Sequence, residues 1–543
     1  MKNVTIILPL PSFTLALFLL ILSLLPSALL RAQSPAVDDF NPGPNGAVYS
    51  LAVQGEGEIL VGGYFGRLGG QPRSSIGRVH DNGTVDTTFE LRGASPLFYV
   101  YALATQPDGK VLMGGTFWML GGQLHRSLAR LNTNGTPDAS FNSGSDGAVN
   151  SLALQADGKI LVGGTFTNLC DQPRRRIGRL NADGTLDTSF NPGTDGTVYS
   201  VAEQADGKIL VGGAFTNLCG QTRRLLGRLN ADGTLDASFN PGAGGTSAYV
   251  GSLMVQADGK ILVGGYFDML GGQTRSNIAR INVDGTLDAS FNPGTGGNSA
   301  YVASLVAQAD GKILVGGSFT NLCGQTRKRI GRLNADGTLD PSFNPEASAI
   351  AAFVGSLAVQ TNGKILVGGF FAALGGQPRS GVGRLNNTEP ATQNLTSGGS
   401  IITWLRGGTS PEVWRTTFEH SPDGSNWTHL GDGVRIPGGW QLTNVVVPPA
   451  NTIRARGFVS GSGVNAWFVE SQISAPSPLR LSLAREGLQV WLSWTGGLGP
   501  YQVQQTSHLE SPTSWQDVGT PLATNSISLP LGPTNRFLRV RGQ

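Results

Sequence analysis

Residues 197–242 read TVYSVAEQADGKILVGGAFTNLCGQTRRLLGRLNADGTLDASFNPG. Four short apolar runs stand in this stretch, at 198–204, 208–215, 225–230 and 235–240. Asp206-Gly207 separates the first pair of runs and Asp232-Gly233 the last pair. Asp-Gly between apolar runs is a strong hairpin signal, because the tight turn needs residues that tolerate positive φ. The stretch therefore predicts a four-stranded antiparallel meander. The second run, seen also as KILVGG at 159–164, is apolar at both parities. A strand of that kind is covered on both faces, as in a sheet packed between neighbouring sheets.

The same unit recurs along the chain. A Gly-Gly-x-Phe motif ends at Phe65, Phe117, Phe166, Phe215, Phe267, Phe319 and Phe371, at intervals of 49 or 52 residues. Thirteen positions after each stands Arg78, Arg130, Arg179, Arg228, Arg280, Arg332 or Arg384. Repeats of about 40–50 residues with four strands each are propeller blades, whereas β-helix coils have much shorter periods. The ends of the array sharpen the reading. Six copies finish with a segment like Leu186-Asp-Thr-Ser-Phe190-Asn-Pro-Gly, but the seventh stops at Leu385-Asn-Asn-Thr-Glu-Pro390. The missing segment stands at the other end, as Asp38-Asp39-Phe40-Asn41-Pro42-Gly43. An N-terminal strand can complete the last blade only in a ring, and ring closure removes exposed sheet edges. The expected fold is all-β: a seven-bladed β-propeller over 38–388, closed by an N-terminal strand. Two small β-sandwich-like domains are expected to follow, at 393–474 and 479–543.

The recurring DGKILVGGxF…GRLNxDGTLDxSFNPG resembles the delta-60 repeat of exported bacterial proteins, a β-propeller repeat of unknown function. Its strand layout is also similar to that of NHL repeats. The resemblance spans about 38–388; it implies fold and export, and brings no catalytic residues with it.

Composition agrees. A chain of 543 residues exceeds one ordinary core, and 79 glycines are too many for long helices. Hydrophobic residues at 39% and a net charge of +3 exclude a disordered chain. Lys and Arg, 39 against 36 acids, leave no electrostatic footprint for nucleic acid. At the N-terminus Lys2 precedes an apolar stretch over 13–30, with small residues Ser27, Ala28 and Ala32 at its exit. This pattern reads as a secretory signal peptide over 1–32. Pro26 argues against the other reading, an uncleaved anchor, because it would break a spanning helix. No other run is apolar and long enough to span a bilayer. The mature protein is expected to be secreted, periplasmic or at the cell surface, as a monomer.

In a meander the first and third turns share one face, here the bottom, and the second turn and blade link share the top. The top face receives Gln71, Gln123, Gln172, Gln221, Gln273, Gln325 and Gln377. Two residues beyond them come Arg73, His125, Arg174, Arg223, Arg275, Arg327 and Arg379. Tyr49, Tyr99, Tyr101, Tyr199, Tyr249 and Tyr301 enter the same face, with Phe353 in the matching place of the last blade. Arginine forks grip carboxylates and aromatic faces stack on sugars, so these residues form the candidate ligand site for a glycan or protein. The competing reading is structural: tyrosines fill the wedges between blades, and Gln and Arg tie loops to backbone carbonyls. Variable links around 243–247 and 295–299 are the better candidates for specificity.

Six of the seven ring arginines that follow Gly-Gly-x-Phe, all but Arg384, have an aspartate eight positions on, Asp86, Asp138, Asp187, Asp236, Asp288 or Asp340, which predicts a partly buried ion pair within the blade. Residues 181–187, NADGTLD, lack the alternating acids and distal Glu of a calcium loop. Cys170, Cys219 and Cys323 occupy one position in different blades, where other copies have Gly69, Gly121, Gly271 or Gly375. That separation is beyond disulfide reach, so they are expected as small buried residues. After residue 388 the repeat gives way to a region with eight of the nine tryptophans. Strands are expected at 412–420, 426–430, 442–447 and 452–459, a linker at 475–478, and strands at 479–484, 488–494, 501–505 and 537–540. The tail resembles a fibronectin-III or immunoglobulin-like module. Core packing is the ordinary role for such tryptophans, and carbohydrate stacking the alternative.

No P-loop, nucleophile elbow, dinucleotide fingerprint or zinc-protease helix is present, and five scattered histidines suit neither a metal nor a triad. No cofactor or metal is expected. The function so read is an exported non-enzymatic binding or scaffold protein. The alternatives are a propeller lyase or glycosidase acting on polysaccharide, and a structural adhesion component.

Overall fold

The computed structural model describes residues 35–541, except 56, 92–97, 388, 399, 449–450, 462–464, 475–479, 496–499, 508–514 and 531–535. The signal-peptide reading of 1–32 and the linker reading of 475–478 lie outside the described residues. The described residues form strands and turns without a helix, so none is long and apolar enough to cross a membrane.

The blade unit is a three-stranded antiparallel sheet. In the fourth copy Thr197–Glu203 pairs with Ile209–Ala214, which pairs with Leu226–Leu229. The fourth predicted strand survives as one bridge, Leu229↔Leu235. It stops there because Asp236 Oδ1 accepts hydrogen bonds from Ser238 N (3.1 Å) and Oγ (2.6 Å), curling the chain into a side-chain-capped turn. Val79↔Val85, Leu131↔Pro137, Leu180↔Leu186, Ile281↔Leu287 and Leu333↔Leu339 repeat this in other blades. In the last blade the bridge is Val37↔Leu385, made by the N-terminal segment. Asp38 N donates to Arg384 O (3.1 Å) and Asn386 N to Ala36 O (2.8 Å) on either side of it. The array closes into a ring as its sequence offset requires.

Ring geometry explains the Gly-Gly pair. The inner strands carry a bulge after Val48, Val198 and their equivalents. A Cβ on the second glycine would fall about 2 Å from an inner-strand carbonyl: 2.1 Å at Gly63 and 2.0 Å at Gly213. A Cβ on the first would strike the next blade, with Gly212 only 2.7 Å from Val250 Cγ1. One glycine admits the bulge and the other lets sheets pack face to face. Neighbouring inner strands are further tied by a serine hydroxyl. Leu253 N donates to Ser200 Oγ (3.1 Å), and across the closure Leu51 N donates to Ser356 Oγ (3.0 Å).

The predicted ion pairs are all present. Arg Nε meets Asp Oδ2 at 2.7–2.9 Å in Arg78–Asp86, Arg130–Asp138, Arg179–Asp187, Arg228–Asp236, Arg280–Asp288 and Arg332–Asp340. The seventh, Arg384, takes Asp38 from the N-terminal segment at 2.7 Å. Each guanidinium also lies 4.3–4.9 Å from the ring centre of the phenylalanine in its outer segment, Phe40 for Arg384. Its Nη1 reaches forward to the next blade: Arg179 to Ala231 O (2.6 Å), Arg228 to Val283 O (2.8 Å), and Arg384 to Asp81 O of the first blade (2.8 Å). Cys170, Cys219 and Cys323 are unpaired with φ of 52°, the left-handed backbone their glycine counterparts adopt. They are half-buried rather than buried, because that turn stands at the surface.

Beyond the propeller, Ala391–Gly398, Ile401–Gly408, Gly439–Leu442 and Val434–Ile436 form one sheet. Arg415–Ser421, Thr428–Asp432, Thr452–Gly461 and Asn465–Ser474 form the other. The strand expected over 442–447 ends at Leu442, where the chain turns irregular ahead of Pro448. The tail forms two three-stranded sheets: Arg480–Glu486, Gln489–Thr495 and Ser526–Pro530, and Gln502–Thr506, Gln516–Asp517 and Phe537–Arg541.

The 391–474 unit is not a separate appendage. Its hairpin enters the bottom of the propeller channel, with Thr452–Gly461 against the inner strands of blades 5–7 and Asn465–Ser474 against those of blades 1–3. Ala466 pairs with Ala104 in a parallel bridge. One apolar cluster runs from Leu51 and Leu103 into Trp404, Trp440, Trp467 and Val469, so these tryptophans are core. Bottom-face turns add backbone bonds, Ala309 N to Ser410 O (2.8 Å) and Glu412 N to Ala307 O (3.0 Å).

Glu203 stands where the other inner strands end in Val53, Thr105, Leu154, Val255, Ala307 or Val359. It accepts from Gln155 Nε2 (2.9 Å) and Ala156 N (3.1 Å), and burial pushes its carboxyl up to about 7, with Arg415 of the sandwich opposing. A raised acid contributes stability that is complete below its unfolded pKa and is lost as pH rises through the folded value. The melting temperature of the wild type minus that of Glu203→Gln should therefore fall between about pH 5 and pH 8. A difference independent of pH would contradict this placement.

Candidate functional site

The inner strands begin at the top face, and two positions on each look into the channel mouth. Around the ring these are Ala47 and Tyr49, Tyr99 and Tyr101, Ala148 and Asn150, Thr197 and Tyr199, Tyr249 and Gly251, Tyr301 and Ala303, and Phe353 and Gly355. A ring at one position is mostly matched by a small residue at the other. A Cβ on Gly251 would lie 3.2 Å from the Tyr249 ring, and one on Gly355 3.1 Å from the Phe353 ring. The glycines leave room for their own strand's aromatic to lean across.

The six predicted tyrosines are brought together. Tyr49 lies 5.7 Å from Tyr101, 6.3 Å from Tyr99 and 6.0 Å from Phe353, centre to centre, and Tyr99 lies 5.6 Å from Tyr101. Tyr199 meets Tyr249 at 5.4 Å. Tyr301 stands on the inner strand that lies between those of Tyr249 and Phe353. Three further rings were not anticipated. Tyr64 stacks on Tyr99 at 4.6 Å, Tyr266 lies 6.2 Å from Tyr249, and Phe370 lies 6.4 Å from Phe353. They occupy the variable position of Gly-Gly-x-Phe, whose register places it opposite the first channel position, as in Tyr266↔Tyr249. The period-2 rule applied across the hairpin would have found them. Eight of the chain's nine tyrosines thus line one half-buried aromatic bowl.

Burial raises the Tyr49, Tyr101, Tyr249 and Tyr301 hydroxyls above the ordinary phenol range. Phenols raised in this way are neutral at pH 7, so these four present uncharged aromatic faces. Beside it, between the links of blades 5 and 6, opens a polar niche of about 280 Å³ lined by Thr246, Tyr266, Asp268, Ser276, Asn277 and Ser299. Here the longer links form extra strands, Ala243–Gly244 on Met269–Leu270 and Thr295–Gly296 on Asn321–Leu322.

The predicted arginines do not join the tyrosines. Arg73, Arg174, Arg223, Arg275 and Arg327 are buried, and Arg379 is half-buried. Their donors go to backbone carbonyls of the hairpin and outer segment: Arg73 Nη1 to Pro72 O (2.8 Å), Arg174 Nη1 to Pro173 O (2.8 Å) and Arg275 Nη1 to Thr274 O (2.8 Å). Arg223 Nε donates to Phe239 O and Arg327 Nε to Phe343 O, both at 3.1 Å, and Arg379 Nη2 to Asp38 O at 2.5 Å. Burying a guanidinium is costly unless its donors find acceptors, and the carbonyls of the hairpin and the curled segment supply acceptors to at least one nitrogen of each. The ring of arginine donors around the aromatic faces is therefore not formed. Asp183 in the calcium-like stretch spends Oδ1 on Thr185 N (2.9 Å) and Oγ1 (2.7 Å), which is turn capping.

Seven stretches, at 54–89, 106–141, 155–190, 204–239, 256–291, 308–343 and 360–388, match the family described as a domain of unknown function (DUF5122) beta-propeller. The chain belongs to the DUF5122 β-propeller family. No curated protein matches it. Among solved structures, the DUF5122 chain is similar to a streptogramin B lyase at 19% identity, covering 57% of this chain and 91% of that one, with a TM-score of 0.34. It is also similar to the FN1–FN3 domains of chicken CNTN1 at 10% identity, covering 44% and 90%, with a TM-score of 0.15.

Ultraviolet titration of the folded protein should show a set of tyrosines ionising above about pH 10, the ordinary value, and Tyr49→Phe, Tyr101→Phe, Tyr249→Phe and Tyr301→Phe should each remove one member of that set. A titration with no such late set, or one that these substitutions leave unchanged, would show that the bowl is open to water.

Proposed function

We propose that this DUF5122 protein is an exported, non-enzymatic binding protein whose propeller top face holds a neutral glycan. The observation that carries the reading is the bowl itself, half-buried tyrosines at the channel mouth whose neighbouring ring centres lie 4.6–6.3 Å apart. Sugar rings present flat C–H faces to aromatic rings and hydroxyls to polar groups, and the niche at Asp268 and Asn277 lies against Tyr266 to receive the latter. With the six predicted arginines withdrawn, none of those forks is free beside the rings to grip an acidic polymer, which favours an uncharged ligand.

The polysaccharide-enzyme reading is weaker. A glycosidase needs two carboxyls about 5–10 Å apart beside its substrate, whereas the repeated aspartates are bound to the ring arginines. The sandwich hairpin also occupies the channel from below. Export rests on the N-terminal sequence pattern.

A glycan array probed with the secreted protein, followed by calorimetry on the best hit, tests the proposal. Tyr99→Ala and Tyr249→Ala should each lower affinity by about tenfold, the worth of one stacked ring at the upper end of measured pairs. Arg223→Ala should lower the melting temperature and leave affinity within about twofold. Failure of every neutral glycan to bind, or binding untouched by both tyrosine substitutions, would overturn it.

A further inference from the structure

Blade 1 breaks a rule that the other six keep. In those six a lysine before the second strand donates to the Asp Oδ2 already held by the ring arginine. The pairs are Lys110–Asp138 (2.8 Å), Lys159–Asp187 (3.0 Å), Lys208–Asp236 (2.9 Å), Lys260–Asp288 (2.9 Å), Lys312–Asp340 (3.2 Å) and Lys364–Asp38 (3.1 Å). In blade 1 the position is Glu58. Among the described residues Asp86 has Arg78 as its ion-pair partner and no ammonium. The side chain of Arg78 is correspondingly the most open of the ring arginines, 14% exposed against 1–9% for the others.

Glu58, at the lysine's position, and Arg78 both line a cleft of about 490 Å³ between blades 1 and 2 and the docked sandwich. Its walls include Gln54, Glu58, Arg78, Thr88, Asn134 and Phe468. Two sandwich arginines also face it, but they are neutralised in place. Arg454 pairs with Glu419, and Arg456 pairs with Glu470 at 2.6 Å. Arg78 is matched by Asp86, which leaves the Glu58 carboxylate as the uncompensated charge of the cleft. A compact cation with several N–H donors suits that imbalance.

We propose that this cleft binds an organic primary ammonium, seated at the Glu58 carboxylate beside the Arg78–Asp86 pair, at the position from which a lysine reaches the aspartate in the other six blades. The chemistry is shared by a free polyamine and by a lysine side chain of a partner protein. The site is separate from the aromatic bowl, on the opposite face of the propeller.

Calorimetry on the full chain with 1,4-diaminobutane, with Nα-acetyl-lysine methylamide and with tetramethylammonium tests this. One equivalent of a primary amine should bind, and tetramethylammonium, which has no N–H, should bind at least tenfold more weakly. Preference for the diamine points to a free polyamine, and preference for the lysine derivative to a partner's side chain. Glu58→Lys makes blade 1 like its six neighbours and supplies the ammonium internally. It should keep or raise the melting temperature while lowering amine affinity more than tenfold. Glu58→Gln should weaken binding without filling the cleft, and serves if the lysine variant folds poorly. No binding of either amine to the wild type, equal binding by wild type and both variants, or equal binding of tetramethylammonium would each overturn the proposal.

Discussion

The propeller depends on one recurrent contact. A ring arginine is held by the aspartate and phenylalanine of its outer segment while its Nη1 is spent on the next blade, as in Arg228 with Asp236, Phe239 and Val283 O. A blade whose outer segment makes only one backbone bridge cannot hold that segment by ladder bonds. A charge-assisted pair, an aromatic face and a forward hydrogen bond replace them. Because the guanidinium is buried, the contact is directional. It is satisfied only when the next blade is in place, so an open array would leave the last arginine stranded. Asp38 and Phe40 resolve this for Arg384, and Asp81 completes the circle.

The two ends of the channel inherit their character from this ring. At the bottom the Asp-Gly turns present backbone groups, and the sandwich hairpin covers them while filling the axis with apolar side chains. At the top no described residue intrudes in this way, and inner-strand positions vary between blades. The chain uses that variation for aromatic rings, alternating large and small residues so that each ring has room. Invariant positions serve the blade, and variable ones shape the bowl and the niche beside it.

Much of this was legible from the sequence. Seven copies, the displaced Asp38–Phe40 segment and the constant offset between Arg228 and Asp236 specify the ring, its closure and its ion pairs, because each is a spacing rule. Misplaced features depended on where a side chain spends its hydrogen bonds. Arg223 sits on the top-face hairpin in sequence, yet burial turns it toward Phe239 O. Asp236 curls the fourth strand away after one bridge, although its apolar pattern reads as a strand. The docking of the sandwich was not legible, since residues 465–474 carry no repeat and their partners lie hundreds of residues away. Tyr64 and Tyr266 were missed for a smaller reason: their role appears only once cross-strand register is followed.

Hydrogen–deuterium exchange on the full chain, comparing wild type with Asp38→Asn, tests the central claim most directly. If the arginine contact closes the ring, protection should fall at Val382–Leu385 and Ala47–Val53, the two sides of the seam, while the strands of blades 3–5 stay as protected as before. Unchanged protection at the seam, or a uniform loss around all seven blades, would contradict a ring held shut by that contact.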